Sequence, residues 1–125
     1  MKEIKAYIRP DMADRVISSL ELAGIKGMTI IDVSTIGGWV DPERSQMSID
    51  YCEKYCSSVK IELVCSDEEL EKFVTVILEN AHTGRKGDGK IFVSDITDAI
   101  SIRTKQHGAE ALWFLELKNL SAKKE

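Results

Sequence analysis

The sequence predicts an α+β fold, in which two helices lie on one face of an antiparallel four-stranded sheet. Three observations support this prediction. The 125 residues suit one domain with a modest hydrophobic core. Two segments repeat apolar residues with helical spacing, and four short segments are rich in strand-forming residues. Along the chain these segments follow the order βαββαβ.

The first strand is predicted over residues 2–8. Its apolar positions 4, 6 and 8 alternate with Lys5, Tyr7 and Arg9, as in a half-buried strand. Pro10 ends this strand, and Asp11 is a candidate N-cap for the first helix. Gly24 is a suitable residue for the end of that helix. The helix has one apolar face, formed by Ala13, Val16, Ile17 and Leu20.

The remaining elements follow the same signals. The second strand is predicted over residues 28–36 and the third over residues 59–65. Ser66 and Glu69 have the spacing of a capping box at the start of the second helix. The apolar face of this helix consists of Leu70, Phe73, Val74, Ile77 and Ala81. The fourth strand is predicted over residues 90–96, and a helical turn and a short strand follow it.

The order βαββαβ is that of the ferredoxin-like fold. Its helices cover one face of the sheet and leave the other face open. In the second predicted strand, however, Ile30, Ile31 and Val33 place apolar residues on both faces. An oligomer that covers the open face is therefore the simplest expectation, although a few exposed apolar residues would also be ordinary.

Composition excludes several classes of function. A net charge of −4 argues against a general nucleic-acid-binding surface. The N-terminus has no apolar stretch of the kind found in secretory signals, and no apolar run approaches the ~18 residues of a membrane span. The 3 cysteines are an odd number, which suits a reducing compartment. The expected location is the cytoplasm.

One segment does not fit a minimal version of this fold. It is the stretch of roughly twenty residues between the second and third strands, whereas hairpin loops usually have about 2–5 residues. Long loops in compact domains are usually functional, and the alternative is a surface insertion without a role. A separate feature is the glycine loop, residues 83–89, which is followed by Lys90.

The glycine loop and Lys90 have the G-x-x-x-x-G-K spacing of a phosphate-binding P-loop. A P-loop, however, follows a strand, precedes a helix and has Ser or Thr after its lysine, whereas Ile91 follows here and the order is reversed. ATPase chemistry of that kind is therefore not expected. An anion-binding nest remains, formed by Gly84, Gly87, Gly89, Arg85, Lys86, Lys90 and the Thr83 hydroxyl. The alternative is a glycine-rich turn with solvated lysines.

Residues 83–92, TGRKGDGKIF, nearly match the signature of the PII signal-transduction family. The segments MKEIKAYIRP, GIKGMTIIDV and VKIELV also resemble that family, and the resemblance extends to about Leu112. It implies a PII-like domain over residues 1–112 and a C-terminal extension over residues 113–125. It also implies a homotrimer without catalytic activity that binds adenine nucleotide in clefts between subunits. The long loop at about 37–58 would be the T-loop, which changes shape with the ligand and docks onto a partner.

The resemblance also assigns roles to residues. The amides of Gly87, Asp88 and Gly89 would hold phosphates together with Lys90, and Arg103 would reach the phosphates in a neighbouring cleft. The positions near adenine and ribose would be Thr29, Glu62 and Val64. Gly37 and Gly38 would lie at the base of the T-loop. No metal or cofactor is implied, and AMP, ADP or ATP would act as effectors.

The sequence departs from the family pattern at the T-loop base. Gly38 and Trp39 stand where relatives have Arg and Gln, Ser58 replaces a lysine, and Ser101 replaces an arginine. Three positive side chains and one magnesium ligand are therefore missing, since the tryptophan side chain offers only one N–H donor. We expect weak or absent cooperation between MgATP and 2-oxoglutarate, and a preference for ADP or AMP. Trp39 has three interpretations: an adenine-stacking residue, a partner anchor or a packing residue.

The T-loop contains a YCxxYC pattern. Tyr51 falls where some relatives carry a modifiable tyrosine, although its surroundings here differ. The spacing of Cys52 and Cys56 would permit a regulatory disulfide, while two free cysteines are the more common outcome. Two cysteines without a nearby third ligand are a weak metal signal.

The leading functional hypothesis is a non-enzymatic adenine-nucleotide sensor that regulates a membrane transporter or a metabolic enzyme, in inorganic-carbon metabolism. One alternative is a conventional PII regulator of nitrogen metabolism that senses ATP, ADP and 2-oxoglutarate. A second, from another class, is a nucleotide-hydrolysing enzyme with Glu62 or Asp88 as base, although no paired carboxylates support it. A third is a structural module that has lost its ligand.

Overall fold

The sheet at the centre of the fold has the strand order β2-β4-β1-β5, with every neighbouring pair antiparallel. The computed structural model describes residues 1–48 and 53–112. The strands are β1 (Lys2–Ile8), β2 (Thr29–Thr35), β3 (Gln46–Ser48), β4 (Glu53–Cys65) and β5 (Gly89–Asp95). The helices are α1 (Ala13–Leu22) and α2 (Leu70–Ala81). This arrangement confirms the predicted ferredoxin-like α+β fold.

Both helices pack on the same face of the sheet and against each other, so one face of the central strands β1 and β4 is buried. The predicted apolar positions form this core: Ile4, Ala6, Ile8, Val16, Leu20, Ile61, Leu63, Phe73 and Ile77. Fully burying a side chain of this size contributes about 1.5–3 kcal/mol to the free energy of unfolding. The core is thus formed by the period-2 faces of the strands and the 3.6-period faces of the helices.

The predicted bounds of three strands agree with the structure to within about one residue, but the third strand is longer than predicted. β4 begins at Glu53 rather than at residue 59, and its first residues pair with β3. The segment Glu53–Ser58 is too polar to show an alternating pattern, and backbone hydrogen bonds stabilise it as a strand without that pattern. Part of the predicted T-loop is therefore a hairpin.

The start of α1 differs from the prediction that Asp11 is the N-cap. Residues Pro10–Met12 form a 3-10 turn, in which the Met12 amide donates to the Arg9 carbonyl at 3.0 Å. Met12 then occupies the N-cap position and provides no side-chain hydrogen bond. The proline at the first position of the turn fixes a helical φ one turn early, so Asp11 lies inside the turn and not at the N-cap position of α1.

The cap predicted before α2 is present, with a change in its details. The Glu69 amide donates to the Ser66 hydroxyl oxygen at 3.2 Å, which caps the 3-10 turn Asp67–Glu69. In return the Ser66 hydroxyl donates to the Glu69 carboxylate at 3.0 Å, whereas a capping box would use the Ser66 amide. The turn leads directly into α2.

After β5, the predicted final strand is reduced to a single bridge between Ile100 and His107. Residues 102–104 form the turn between them, and residues 109–112 are helical. Residues 113–125, the predicted extension, lie outside the described residues. Within the part of the chain that the structure describes, no helix is both long and apolar enough to cross a membrane.

Candidate functional site

Three segments meet at one end of the sheet. Ile8, at the end of β1, pairs with Val59 of β4 on one side and with Gly89 of β5 on the other. β2 ends at the same side of the molecule, where Thr35 pairs with Cys56. This register brings the residue after β1, the T-loop base after β2 and the glycine loop before β5 to the same end of the sheet.

The glycine loop is so close to its neighbours that two of its positions require glycine. Gly89 has φ 113°, and a Cβ atom there would lie 1.7 Å from the Tyr7 carbonyl oxygen. Gly87 has φ 97°, and its Cβ would lie 2.6 Å from the Cβ of Asp41. Positive φ and close approach are the two conditions that exclude other residues. The loop is therefore packed against both β1 and the T-loop base.

Asp88 holds the glycine loop in shape. Its carboxylate accepts hydrogen bonds from the Thr83 amide at 2.7 Å and the Gly84 amide at 2.8 Å, and also from the Thr83 hydroxyl. Burial alone would raise the pKa of Asp88, but these bonds and the Arg9 guanidinium hold that pKa well below its usual range. The Thr83 hydroxyl, predicted as a phosphate donor, is thus bonded within the loop.

Arg9 is the residue of this site that the sequence analysis did not identify. Its side chain is 1% exposed and lies between the glycine loop and the T-loop base. Nε donates to Asp88 at 3.0 Å, and the two terminal nitrogens donate to Asp41 at 3.1 Å and to the Lys86 carbonyl at 2.7 Å. A sequence feature that could have pointed to Arg9 is its position directly before a proline. The alternation of the strand, however, suggested only a surface residue.

The electrostatics of this cluster follow from its contacts. Burial alone would lower the pKa of Arg9, but the hydrogen bonds that it donates to the carboxylates of Asp88 and Asp41 raise it. The Arg9 guanidinium and the Glu43 amide lower the pKa of Asp41. Asp41 also caps the 3-10 turn Pro42–Arg44, because its side chain accepts from the Glu43 amide at 3.0 Å. The cluster holds two carboxylates and one guanidinium, so its formal charge is negative.

Outside this negative cluster, positive charge lies at the exposed side of the glycine loop. The side chains of Arg85, Lys86 and Lys90 are all exposed. Among the described residues, none accepts a hydrogen bond from the backbone amides of Lys86 and Gly87. A short backbone segment with available amides and adjacent cations is suited to bind an anion such as phosphate.

The base of the T-loop lies beside these cations. Gly37, Gly38 and Lys86 line one cleft of about 340 Å³. Trp39 is half-buried, and its ring meets the ring of Tyr7 edge to face, with 5.9 Å between centroids. Ser58, at the far end of the predicted T-loop, accepts a hydrogen bond from the Thr35 hydroxyl at 3.2 Å. The structure thus brings Gly37 and Gly38 to the glycine loop.

The predicted adenine and ribose positions form a second, separate cleft. Thr29, Glu62 and Val64 line a space of about 350 Å³, and Thr29 lies opposite Glu62 in the sheet. Val64 pairs with Glu3, five residues before Ile8, which corresponds to about 17 Å along β1. Arg103 is exposed in the turn that follows the far end of β5. A single chain therefore does not bring the two halves of the predicted site together.

The cysteine predictions are tested only in part. Cys56 is a buried free cysteine, and burial raises the pKa of Cys65, the other described cysteine. Tyr51 and Cys52 lie outside the described residues. Within residues 1–48 and 53–112, no group of three or more His, Cys, Asp or Glu side chains is placed to hold a metal ion.

Comparison with known sequences gives a consistent result over most of the chain. The sequence model of the family described as "Nitrogen regulatory protein P-II" matches residues 1–106. The "Nitrogen regulatory protein P-II 1" of Methanothermobacter thermautotrophicus is 44% identical over 112 residues, which cover 90% of this chain and 97% of that relative. The P-II proteins of Pyropia yezoensis and Azospirillum brasilense are 40% and 37% identical, with 90% of this chain and 100% of each relative covered.

Proposed function

Because the chain belongs to the nitrogen regulatory protein P-II family, whose members are regulatory signalling proteins, we propose that it is a non-enzymatic sensor of adenine nucleotides. Family membership confirms the resemblance found in the sequence. The proposed sensor binds nucleotide in clefts between subunits and regulates a protein partner through its T-loop.

The observation that carries this proposal is the glycine loop. Asp88 and Arg9 fix the loop from within. The amides of Lys86 and Gly87, which have no acceptor among residues 1–48 and 53–112, are thus held in place before a ligand arrives. Arg85, Lys86 and Lys90 supply the charge that a diphosphate requires. The proposed phosphate contacts are the amides of Gly87, Asp88 and Gly89 and the Lys90 side chain, with Gly37 and Gly38 alongside.

The separation of the two clefts supports a site shared between subunits. Proteins of this family form homotrimers. In the proposed trimer, one protomer provides the glycine loop and the next provides Thr29, Glu62 and Val64 for the adenine and ribose. Arg103 reaches the same cleft from a neighbouring protomer. The open sheet face, where Ile31 and Val33 are half-buried, would face another protomer.

The charges at the site favour ADP or AMP over ATP. Arg9 is neutralised by Asp41 and Asp88, so it does not replace the positive side chains missing at Gly38, Ser58 and Ser101. A γ-phosphate or a dicarboxylate requires compensating charge when it leaves water. We therefore expect weak cooperation between MgATP and 2-oxoglutarate.

Two partners of the T-loop are candidates, a membrane transporter and a metabolic enzyme. The altered T-loop base favours inorganic-carbon metabolism, with bicarbonate as a possible second effector. The curated relatives named nitrogen regulatory proteins favour the conventional role, in which 2-oxoglutarate is the second effector. The choice depends on the second effector.

The geometry gives little support to an enzyme. A carboxylate with a strongly lowered pKa, such as that of Asp88, is a poor general base near neutral pH. Glu62, the other candidate base, forms an ion pair with Lys60 at 3.2 Å. Repeated turnover of ATP or ADP by the purified protein, several times per minute for each chain, would contradict the non-enzymatic role.

Titration calorimetry tests the proposal. AMP, ADP and ATP are titrated separately, each with and without magnesium, 2-oxoglutarate and bicarbonate. Binding of ADP or AMP that does not respond to 2-oxoglutarate supports the proposed sensor. ATP binding strengthened by magnesium and 2-oxoglutarate supports the conventional nitrogen regulator. Absence of binding by all three nucleotides would refute both.

A further inference from the structure

We propose that Arg9 is a positioning residue that joins the glycine loop to the base of the T-loop, so that a change in either loop displaces the other. Arg9 reaches Asp88 and the Lys86 carbonyl in one loop and Asp41 in the other. These partners are 79, 77 and 32 residues away in sequence. Local chain connectivity therefore does not enforce the link.

The backbone conformation of Arg9 and the burial of its side chain make the link rigid. Arg9 follows directly after β1 and has the extended conformation, φ −64° and ψ 139°, that the following Pro10 favours. Its guanidinium is buried and planar, and all three nitrogens have an acceptor. Loss of one carboxylate would leave buried donors without a partner, which is strongly unfavourable. The side chain consequently has little freedom to follow one loop without the other.

A second, independent contact joins the same two loops. A Cβ atom on Gly87 would lie 2.6 Å from the Cβ of Asp41 and 2.9 Å from its backbone nitrogen. The two backbones thus touch directly beside the ion pairs. Asp41 also accepts from the Glu43 amide, while its carbonyl accepts from the Arg44 amide at 3.2 Å and from the Ser45 hydroxyl at 3.0 Å. A displaced Asp41 would therefore disturb the whole turn Pro42–Arg44.

The consequence for regulation rests on the proposed function. A nucleotide phosphate held by the glycine loop would fix Asp88 and Lys86, and Arg9 would transmit this restraint to Asp41. Thermodynamic linkage requires the reverse effect as well, so a partner that holds the T-loop base would alter nucleotide affinity by the same factor. In this chain the coupling would use a guanidinium and two carboxylates, with no metal ion.

Hydrogen exchange on the protein without nucleotide tests the mechanical link alone. In Asp88→Asn, the amides of Glu43 and Arg44 in the other loop should exchange roughly tenfold faster. In Asp41→Asn, the amides of Thr83 and Gly84 should accelerate in the same way. The matched control is Asp32→Asn, an exposed aspartate of β2, which should change neither loop. The amides of Phe73 and Ile77 in α2 report global unfolding. In every variant the loop amides should exchange faster than these, so that their acceleration reports local opening and not the loss of overall stability. Acceleration confined to the mutated loop would overturn the proposal.

Arg9→Lys tests the shape of the linking group. Lysine keeps the positive charge but has no planar fork that could reach three acceptors at once. Both loops should exchange faster in this variant than in wild type, and at rates above those of α2. Wild-type exchange in both loops would contradict the role of the guanidinium. If Arg9→Lys does not fold, the two aspartate variants decide the question without it.

A further experiment, on the coupling to nucleotide, uses ADP and the fluorescence of Trp39. It is carried out in a Trp113→Phe background, which removes the other tryptophan. In the parent protein, ADP should change the Trp39 signal, and in Asp41→Asn the change should be at least about fivefold smaller at saturating ADP. An unchanged response in Asp41→Asn would overturn the proposed coupling. If no variant binds ADP but the reciprocal exchange effects are present, the proposed function fails and the mechanical link is retained.

Discussion

At the scale of single residues, the closest packing in the site occurs where glycine meets backbone. Gly89 lies against the Tyr7 carbonyl, and Gly87 lies against Asp41. These two contacts explain why a loop of seven residues needs several glycines, beyond any role in holding phosphate. Gly84 has φ 86° but only the His82 side chain within 4 Å of its would-be Cβ, at 3.8 Å.

This difference predicts unequal costs for the same substitution. Gly89→Ala should lower the free energy of unfolding by about 4 kcal/mol or more, because its methyl group would overlap the Tyr7 carbonyl. Gly84→Ala should cost only about 1–2 kcal/mol, the usual penalty for a left-handed backbone. Urea denaturation of both variants measures the difference. Equal losses of stability would show that the close approach at Gly89 is not present in solution.

The contacts of Asp88 predict the behaviour in acid. Its folded pKa is lowered, so it contributes stability that is complete above its unfolded pKa of about 3.9 and is lost as the pH falls toward the folded value. Asp88→Asn should cost about 3 kcal/mol at pH 7, because Arg9 loses a charged partner. The difference from wild type should shrink as the pH falls below about 4. Denaturation at a series of pH values measures it, and a gap that stays constant into acid would contradict this role.

At the scale of secondary-structure elements, β4 is the longest strand and belongs to two ladders. Its C-terminal part pairs with β1 and β2 in the central sheet, and its first three residues pair with β3 in the T-loop. The far part of the T-loop is therefore continuous with a core strand. A displacement of the T-loop base at Asp41 would take place beside this strand. We therefore expect the T-loop to bend at its base.

The start of α2 provides a test at the same scale. Ser66→Ala removes the hydroxyl that accepts from the Glu69 amide and should lower the free energy of unfolding by about 1 kcal/mol. The matched control is Ser18→Ala, at an exposed position inside α1, where alanine is the better helix former. Thermal or urea denaturation should show a loss for the first variant and none for the second. A similar effect of both would mean that Ser66 does not cap.

At the scale of the whole molecule, the proposed cleft requires residues of two protomers, and this can be tested by mixing variants. Lys90→Ala removes a proposed contact at the phosphate end of the cleft. The double variant Thr29→Ala with Glu62→Ala removes two proposed contacts at the adenine end. Each homotrimer should bind ADP at least tenfold more weakly than wild type. Mixed trimers restore wild-type clefts where an intact glycine loop meets an intact adenine end.

Refolding the two variants together should therefore recover wild-type ADP affinity in a fraction of the clefts. Titration calorimetry of the mixture measures that fraction. The control is each variant unfolded and refolded alone. If the mixed sample shows no tight sites although mass measurements show mixed trimers, both ends of the cleft must come from the same chain. Either outcome locates the site relative to the subunit boundary.

The order of the elements, the core faces and the glycine loop could all be predicted from local sequence patterns. Apolar patterns with periods of 2 and 3.6 residues depend only on residues close in sequence. Core positions such as Ile4, Val16, Phe73 and Ile77 could therefore be predicted without knowledge of the rest of the fold. The glycine-rich signature is also local, which is why the glycine loop could be proposed as part of a binding site before the fold. The predicted start of the third strand at residue 59 was less accurate, because the polar start of β4 carries no such period.

The arrangement of those residues in space, in contrast, depends on how the strands pair and the loops pack. The register of β1 with β4 and β5 placed Arg9 between Asp41 and Asp88, and it put Thr29, Glu62 and Val64 at the other end of the sheet. In the sequence Arg9 was one more polar residue in an alternating strand. Its burial results from two loops that close over it, and loop packing depends on strand register rather than on the residues next to it in sequence.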